Sequence, residues 1–543
     1  MFLKFREDNS GQVAMTFGIA LIPILTGAGV AIDFSRIAMK HSSLQQATDS
    51  AALAVAKSVT TSTTSGGVQA QAQSYLTTSY SNRTATITSA SIATDHKSLC
   101  VNSTDTVQLG LLSVFGTSTK NIDVSTCTYL AGVAGSYEIA LVLDNSGSMN
   151  ESVSGSSKVT ALKTAANQFI SAMFAEPFLG KVKMSVVPFS GMVAVQNSDT
   201  SNRTASWIDH NGKSSWHWKT FANATTTGFN SRFDIFKKLK VLNSSWDWAG
   251  CFETPPYPQN VSDAAPDKHK PDTLLVPMLA PDEPDPLQNC KNGYCYPVAN
   301  NYQNDYLDDN SSSCSGAAPT DDQTKLTRSC KYKSPSTSTT SGKGYGPNGM
   351  CLSQPLLRMT STQATLTSKV DGLSANGDTN LHEGFMWGWR SISPNAPFAD
   401  GKAYDTSSSA TNQKVIVLMT DGYNNWSSIA NTWGGSMYEA PGYYTLANGR
   451  MPPGNQNITN MTQSRAALDE LTLQACTNAK AKGVVIYTVG FSISSDPIDT
   501  QGQNLLAACA TDAAHAFIAN DASSLVNAFN QIGMGMGKLR IKS

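Results

Sequence analysis

Charge is scarce in this chain: of 543 residues only 15% are charged, and 39 basic side chains stand against 40 acidic ones. A formal net charge of -1 leaves no basic excess to face phosphates, which argues against a nucleic-acid binder. The common catalytic signatures are missing too. There is no HExxH, no GxSxG, no GxxxxGKS or GxxxxGKT, and no GxGxxG following a strand. The seven histidines are scattered and form no base–nucleophile pattern, so the expectation is a protein that is not an enzyme. No CxxC pair occurs, which disfavours a Cys-rich zinc ribbon. Global disorder is excluded by the 40% hydrophobic content, ample for sizeable cores.

What is present begins at the N-terminus. Residues 9–32 are uncharged, and Val13 to Ile32 is predominantly apolar, the length of helix that crosses a hydrocarbon core of about 30 Å. A cleaved signal peptide fits less well, because no A-x-A-like site follows Ile32. The expectation is a transmembrane helix over 13–33 behind a short cytoplasmic N-terminus, 1–12. All ten cysteines lie beyond the span, which places the bulk of the chain outside the cytoplasm, where disulfides persist. Residues 34–59 then read as a stem helix, with Ile37, Leu44, Ala47, Ala51 and Val55 on one stripe. Residues 60–135, rich in Ser, Thr and Val, read as a small β-rich module with Cys100 and Cys127 placed to staple it.

The run SGQVAMTFGIALIPILTGAGVAIDFSR followed by LQQATDSAALAVAKS resembles the N-terminal region (here about 8–58) of TadG-like proteins of the Tad/Flp pilus-assembly systems. The pseudopilins of those systems are cut after a Gly and usually carry a Glu five residues on. Here Gly11 is followed at that distance by Thr16, which speaks for a permanent anchor. The resemblance implies a bacterial inner-membrane protein, single-pass, with its large domain periplasmic or otherwise extracytoplasmic, working with other pilus-assembly components.

From Glu138 the pattern changes to strand–helix alternation. The apolar runs 138–143, 182–189, 415–419 and 484–491, separated by helical stretches, predict an α/β fold with a doubly wound, mainly parallel sheet. Ligands bind such sheets at the carboxyl ends of the strands. There the sequence places Asp144, Ser146 and Ser148 after the first strand, Thr379 at a helix start, and Asp421 after a later strand. Two carboxylates and three hydroxyls are hard oxygen donors, suited to a divalent cation, with Mg²⁺ the expected ion and Mn²⁺ or Ca²⁺ as alternatives. DxSGS…GDTN…TDG resembles the metal-ion-dependent adhesion site of von Willebrand factor type A domains, which are Rossmann-like. That resemblance implies direct ligation by Ser146, Ser148 and Thr379. Asp144 and Asp421 would act largely through water, and a protein partner would supply an acidic residue to the metal.

The domain so defined, 137–535, is interrupted by an insertion at 196–360 and a loop at 423–460, and a tail, 536–543, follows. The insertion carries six cysteines and little periodic apolar pattern, so it reads as a solvated, disulfide-held region. Cys476 and Cys509, on helices flanking one strand, are expected to pair. The functional expectation is a membrane-anchored, metal-dependent protein-binding component of a Tad/Flp-type pilus or adhesion system. The alternative is a cell-envelope sensor or scaffold unrelated to pili.

Overall fold

The structure is a computed structural model. It describes residues 12–56, 59, 65–80, 84–93, 98–110, 112–129, 136–153, 155–176, 178–195, 203–285, 288–291, 294–297, 302–309, 311–316, 319–337, 345–407, 411–537 and 541–542. The chain divides into two units, Met1–Ala134 with Gly537–Ser543, and Gly135–Met536.

The first unit is built on α1 (Gln12–Ala56) and α2 (Ser65–Ser79), which pack on an antiparallel sheet of β1 (Thr86–Ile92), β2 (Ser98–Gln108) and β3 (Thr119–Tyr129). The two-residue strand Ile541–Lys542, expected as a tail, pairs with β3. The predicted stripe is real: Leu44, Ala47, Ala51 and Val55 are buried together with Val68, Ala72 and Leu76 of α2 and Leu99 and Val101 of β2. Stem and β module therefore share one core rather than standing apart. The helix α2 was not expected, since its Ser, Thr, Gly and Gln content reads as strand or loop and only every fourth residue is buried. Asp33, the first charged residue after the apolar run, is buried and accepts the Gly110 and Leu112 amides, each at 2.9 Å.

The expected transmembrane span, 13–33, falls in part on side chains outside the described residues, namely 13–16, 22–26 and 28. Among the described residues, no helix is long and apolar enough to cross a membrane. Residues 1–11 lie outside the described residues altogether.

The second unit follows the alternation seen in sequence. Its elements are β4 (Ser136–Asp144), α3 (Lys158–Met173), β5 (Val182–Phe189), α4 (Arg232–Leu242), β6 (Leu357–Thr360), α5 (Gln363–Asp371), α6 (Leu381–Ile392), β7 (Asn412–Thr420), α7 (Met461–Ala481), β8 (Val485–Phe491), α8 (Thr500–Cys509), β9 (Ala516–Ala519) and α9 (Ala522–Gly537). The sheet order is β6-β5-β4-β7-β8-β9, parallel throughout except for the antiparallel edge strand β6. Successive strand residues point to opposite faces, and both faces are buried. Ile139, Leu141 and Leu143 of β4 join α3, α5 and α9 in one core, whereas Ala140 and Val142 join α6, α7 and α8 in the other. The α6 backbone comes close because Gly384 and Gly388 face the sheet. A Cβ on Gly388 would sit 2.3 Å from Val142, and one on Gly384 2.5 Å from the Phe189 ring.

The insertion corrects the sequence reading. It has a hydrophobic core of its own making, continuous with the α6 face: Trp207, Phe221, Trp248, Phe252, Leu279 and Tyr332 are buried there. Phe252 lies 5.9 Å from Trp387 of α6, ring centroid to centroid. These aromatics come at irregular intervals, so no period betrayed them, yet each removes large apolar area from water. The 423–460 loop packs on the insertion as well, with Thr254 N donating to Ala440 O at 2.8 Å and Tyr257 N to Gly449 O at 2.9 Å. Four disulfides occur among the described residues: Cys100–Cys127, Cys251–Cys351, Cys314–Cys330 and Cys476–Cys509, the last with a Cα separation of 5.2 Å.

Candidate functional site

Asp144 is the last residue of β4, and Thr420 is the last of its parallel neighbour β7, where Leu143 lies opposite Met419. From β4 the chain proceeds to β5 on one side, and from β7 to β8 on the other. The crevice between them is therefore where strand order reverses, the place such sheets bind ligands. Three loops meet above it. Gly147 N donates to Gly377 O at 2.8 Å, Asn376 N to Asn145 O at 2.7 Å, and Asn425 N to Thr379 O at 2.8 Å. Gly377 adopts φ +84°, a left-handed turn that favours glycine, and Asn380 then caps α6 by accepting the Glu383 amide at 3.1 Å.

Four of the five expected residues form one hydrogen-bonded chain. The Ser146 amide donates to Asp144 Oδ1 at 2.7 Å, the Ser146 and Ser148 hydroxyls are 3.1 Å apart, and the Ser148 hydroxyl donates to Asp421 Oδ1 at 2.9 Å. Thr379 stands on the same rim, its Oγ1 3.8 Å from where a Cβ on Gly422 would lie, one residue past Asp421. Burial, and then the Asp421 carboxylate, push the Asp144 carboxyl above its ordinary range. The Asp421 carboxyl is likewise held up by burial, against the opposing pull of Lys158.

The residues present fit a small divalent ion. Adjacent ligands of an octahedral ion with bonds of 2.0–2.1 Å lie about 3 Å apart. The Ser146–Ser148 and Ser148–Asp421 oxygen separations are 3.1 and 2.9 Å. Among the described residues, no group of three or more His, Cys, Asp or Glu side chains forms a metal-holding cluster, so any cation here would depend on hydroxyls.

Sequence reading missed three contributors. Lys158, the first residue of α3, is fully buried and puts its ammonium 2.8 Å from Asp421 Oδ2 and 2.6 Å from Asp496 Oδ2. A cation at a helix N-terminus opposes the macrodipole, and that misfit in SSKVTALK was the available signal. Thr420 donates its hydroxyl to Asp144 Oδ2 at 2.6 Å, occupying the carboxylate's second oxygen. Glu439, from the 423–460 loop, is fully buried with both carboxylate oxygens free of hydrogen-bond partners.

The acidic stretch of the insertion serves the fold instead. Asp282 Oδ1 accepts the Tyr306 and Leu307 amides at 2.7 and 2.6 Å. The buried Lys331 ammonium sits 2.6 Å from Asp282 and 3.0 Å from Asp309. His382, near Thr379 in sequence, is buried and turned away toward Asn260 O, 2.7 Å from its Nε2.

This is a doubly wound α/β unit with a hydroxyl-and-carboxylate cluster at its strand-order reversal. Within the chain, residues 11–58 match the family described as "Putative Flp pilus-assembly TadE/G-like". Among curated proteins, none matches this sequence. Three solved structures show likenesses. The vWF domain of the type V pili tip protein Mfa5 from Porphyromonas gingivalis is 11% identical, with 76% of this chain and 98% of that one covered, at a TM-score of 0.32. The PilB minor pilin from Streptococcus sanguinis is 12% identical over 84% of this chain and 78% of that one, TM-score 0.34. The adhesive tip pilin GBS104 from Group B Streptococcus agalactiae is 11% identical over 74% and 99%, TM-score 0.35. At TM-scores this low, nothing about this chain follows from them.

Proposed function

We propose that this chain is a membrane-anchored, non-enzymatic protein-binding component of a Tad/Flp-type pilus-assembly or surface-attachment system. The match over 11–58 supports the pilus-related role. The apolar run up to Ile32 supports a single inner-membrane span, and the disulfides support an extracytoplasmic location for the second unit.

The reading of the site is that of a von Willebrand factor type A adhesion site. Its main support is the continuous Ser146–Ser148–Asp421 oxygen chain at the sheet edge. Ser146, Ser148 and Thr379 would hold the ion, with Asp144 and Asp421 behind them. When bound, a divalent cation, Mg²⁺ by this reading, supplies an electron-poor centre for a carboxylate of a protein partner. The chain's own residues keep that centre in place. Thr420 and the Ser146 amide fix both Asp144 oxygens, and Lys158 offsets the charge of Asp421.

Calorimetry with Mg²⁺ and Mn²⁺ on the purified chain tests the site: wild type should give heat of binding and Asp144→Ala none. In cells, a chromosomal Asp144→Ala allele should lower pilus-dependent attachment with the chain present at normal abundance. Attachment and pilus number unchanged even on deletion of the whole gene would sink the pilus reading.

A further inference from the structure

Glu439 lies in the loop that leaves the sheet after Asp421, in a buried stretch of the chain, and its side chain is fully enclosed. Its carboxyl is in contact with the Asp378 carboxyl and lies beside the Ser427 backbone amide, while neither of its oxygens meets a donor at full hydrogen-bond geometry. Asp378, half-buried, is the residue before Thr379, so the pair sits one residue from the rim of the site described above. The Asp378 Oδ2 accepts the Ser427 hydroxyl at 2.6 Å. Among the described residues, neither carboxylate has an ion pair with a basic side chain, whereas the comparably buried Glu253, Asp282 and Asp421 each do.

A third element completes the enclosure. Gly191, just past β5, leaves an opening between the two acids: a Cβ there would stand 3.0 Å from Glu439 Oε2 and 3.8 Å from Asp378 Cβ. Two carboxyls thus converge on a gap lined by a glycine and a hydroxyl, one of them sealed from water with two unused oxygens. Two buried carboxyls in contact cannot both stay ionised, and either a shared proton or a cation between them relieves the repulsion. A buried carboxylate is retained where it is paired or coordinates a metal.

We propose that Asp378 and Glu439, with the Gly191 opening between them, form a second cation site, for Ca²⁺, beside the serine-rich one. Loop-borne carboxylates, with backbone oxygens and water completing an irregular shell, suit Ca²⁺ better than Mg²⁺, which demands a near-ideal octahedron. Because the site uses residues of the β5 exit, the α6 entry and the 423–460 loop, its cation ties together the three segments that frame the adhesion rim. The site stands whether or not the first one loads.

The test is Ca²⁺ binding to the purified, chelator-stripped full chain, followed by equilibrium dialysis with metal counting and by thermal melting. Wild type and Asp144→Asn should both retain a Ca²⁺ equivalent that Glu439→Gln loses, and Ca²⁺ should raise the melting temperature of the first two chains only. Asp378→Asn, at a half-buried position, should behave as Glu439→Gln. In chelator, Glu439→Gln should melt no lower than wild type, since one of two facing acids becomes neutral, which separates loss of a site from loss of fold. Equal Ca²⁺ content and equal Ca²⁺-induced melting shifts in wild type and both variants would overturn the proposal. A failure of the first site instead shows as Asp144→Asn matching wild type with Mg²⁺ as well as with Ca²⁺.

Discussion

The Lys158 ammonium lies 2.8 Å from Asp421 Oδ2, and both side chains are fully buried. A lysine at the first position of a helix thus reaches the carboxylate just past a strand end 263 residues later. Its second partner, Asp496, remains 41% exposed, so the ion triad opens to solvent at one end only.

Lys158→Met removes the only ammonium within bonding reach of Asp421 among the described residues and leaves a buried carboxylate uncompensated. Breaking one side of such a pair costs about 3–5 kcal/mol. Urea unfolding in chelator should show a loss of that size. Added Mg²⁺ should recover part of it, because the cation takes over the charge the lysine offset. A change below about 0.5 kcal/mol, the range of ordinary surface substitutions, would mean the pair contributes nothing net.

Glu253 is held between two buried guanidinium groups, bonding Arg232 on one oxygen and Arg450 at 2.5 Å on the other, with the Tyr438 hydroxyl donating to it as well. It joins the 196–360 insertion to the 423–460 loop. Glu253→Gln strands both arginines in the interior and should cost about 3–5 kcal/mol. The Arg358–Asp400 pair is the internal control: Arg358 is 56% exposed, and Asp400→Asn should cost under about 1 kcal/mol. Equal losses from the two substitutions would refute the assignment of Glu253 as the joint.

Cys476 on α7 and Cys509 on α8 close a loop of sequence separation 33. By the chain-entropy account a loop of this size contributes about 3–4 kcal/mol. The double variant Cys476→Ala with Cys509→Ala should lower unfolding stability by that order while leaving the far-ultraviolet circular dichroism unchanged. No loss on reduction or substitution would show the two helices are held by their apolar contacts alone.

Burial, against the opposing pull of the Asn260 carbonyl, lowers the His382 imidazole from 6.5 to about 4. The native state thus keeps it neutral where the unfolded chain protonates it. Its contribution is complete above about pH 6.5 and is lost as pH falls toward about 4, for a total of about 3 kcal/mol. His382→Gln, which keeps a donor for Asn260 O, removes this dependence. Unfolding free energies of the two chains, compared between pH 7 and pH 4, should diverge by that amount. Parallel curves would place the imidazole in contact with solvent.

Much of the site was legible in sequence because its parts sit at element boundaries. Asp144 and Asp421 close apolar strand runs, and Thr379 precedes a helix cap, so local pattern and sheet topology together bring them to one edge. The stripe of α1, the strand alternation and the Cys476–Cys509 spacing were readable for the same reason: each depends on a period of 2 or 3.6, or on neighbouring elements. Tertiary structure alone decided the rest. Lys158 meets Asp421, and Asp378 meets Glu439, only because parallel strands distant in sequence lie side by side, and no local period records that. The insertion core was equally hidden, since Trp207, Trp248 and Phe252 follow no repeat and become interior only when packed against α6. Pattern specifies which residues face inward along one element; which charges and rings then meet is settled by how elements far apart in the chain are stacked.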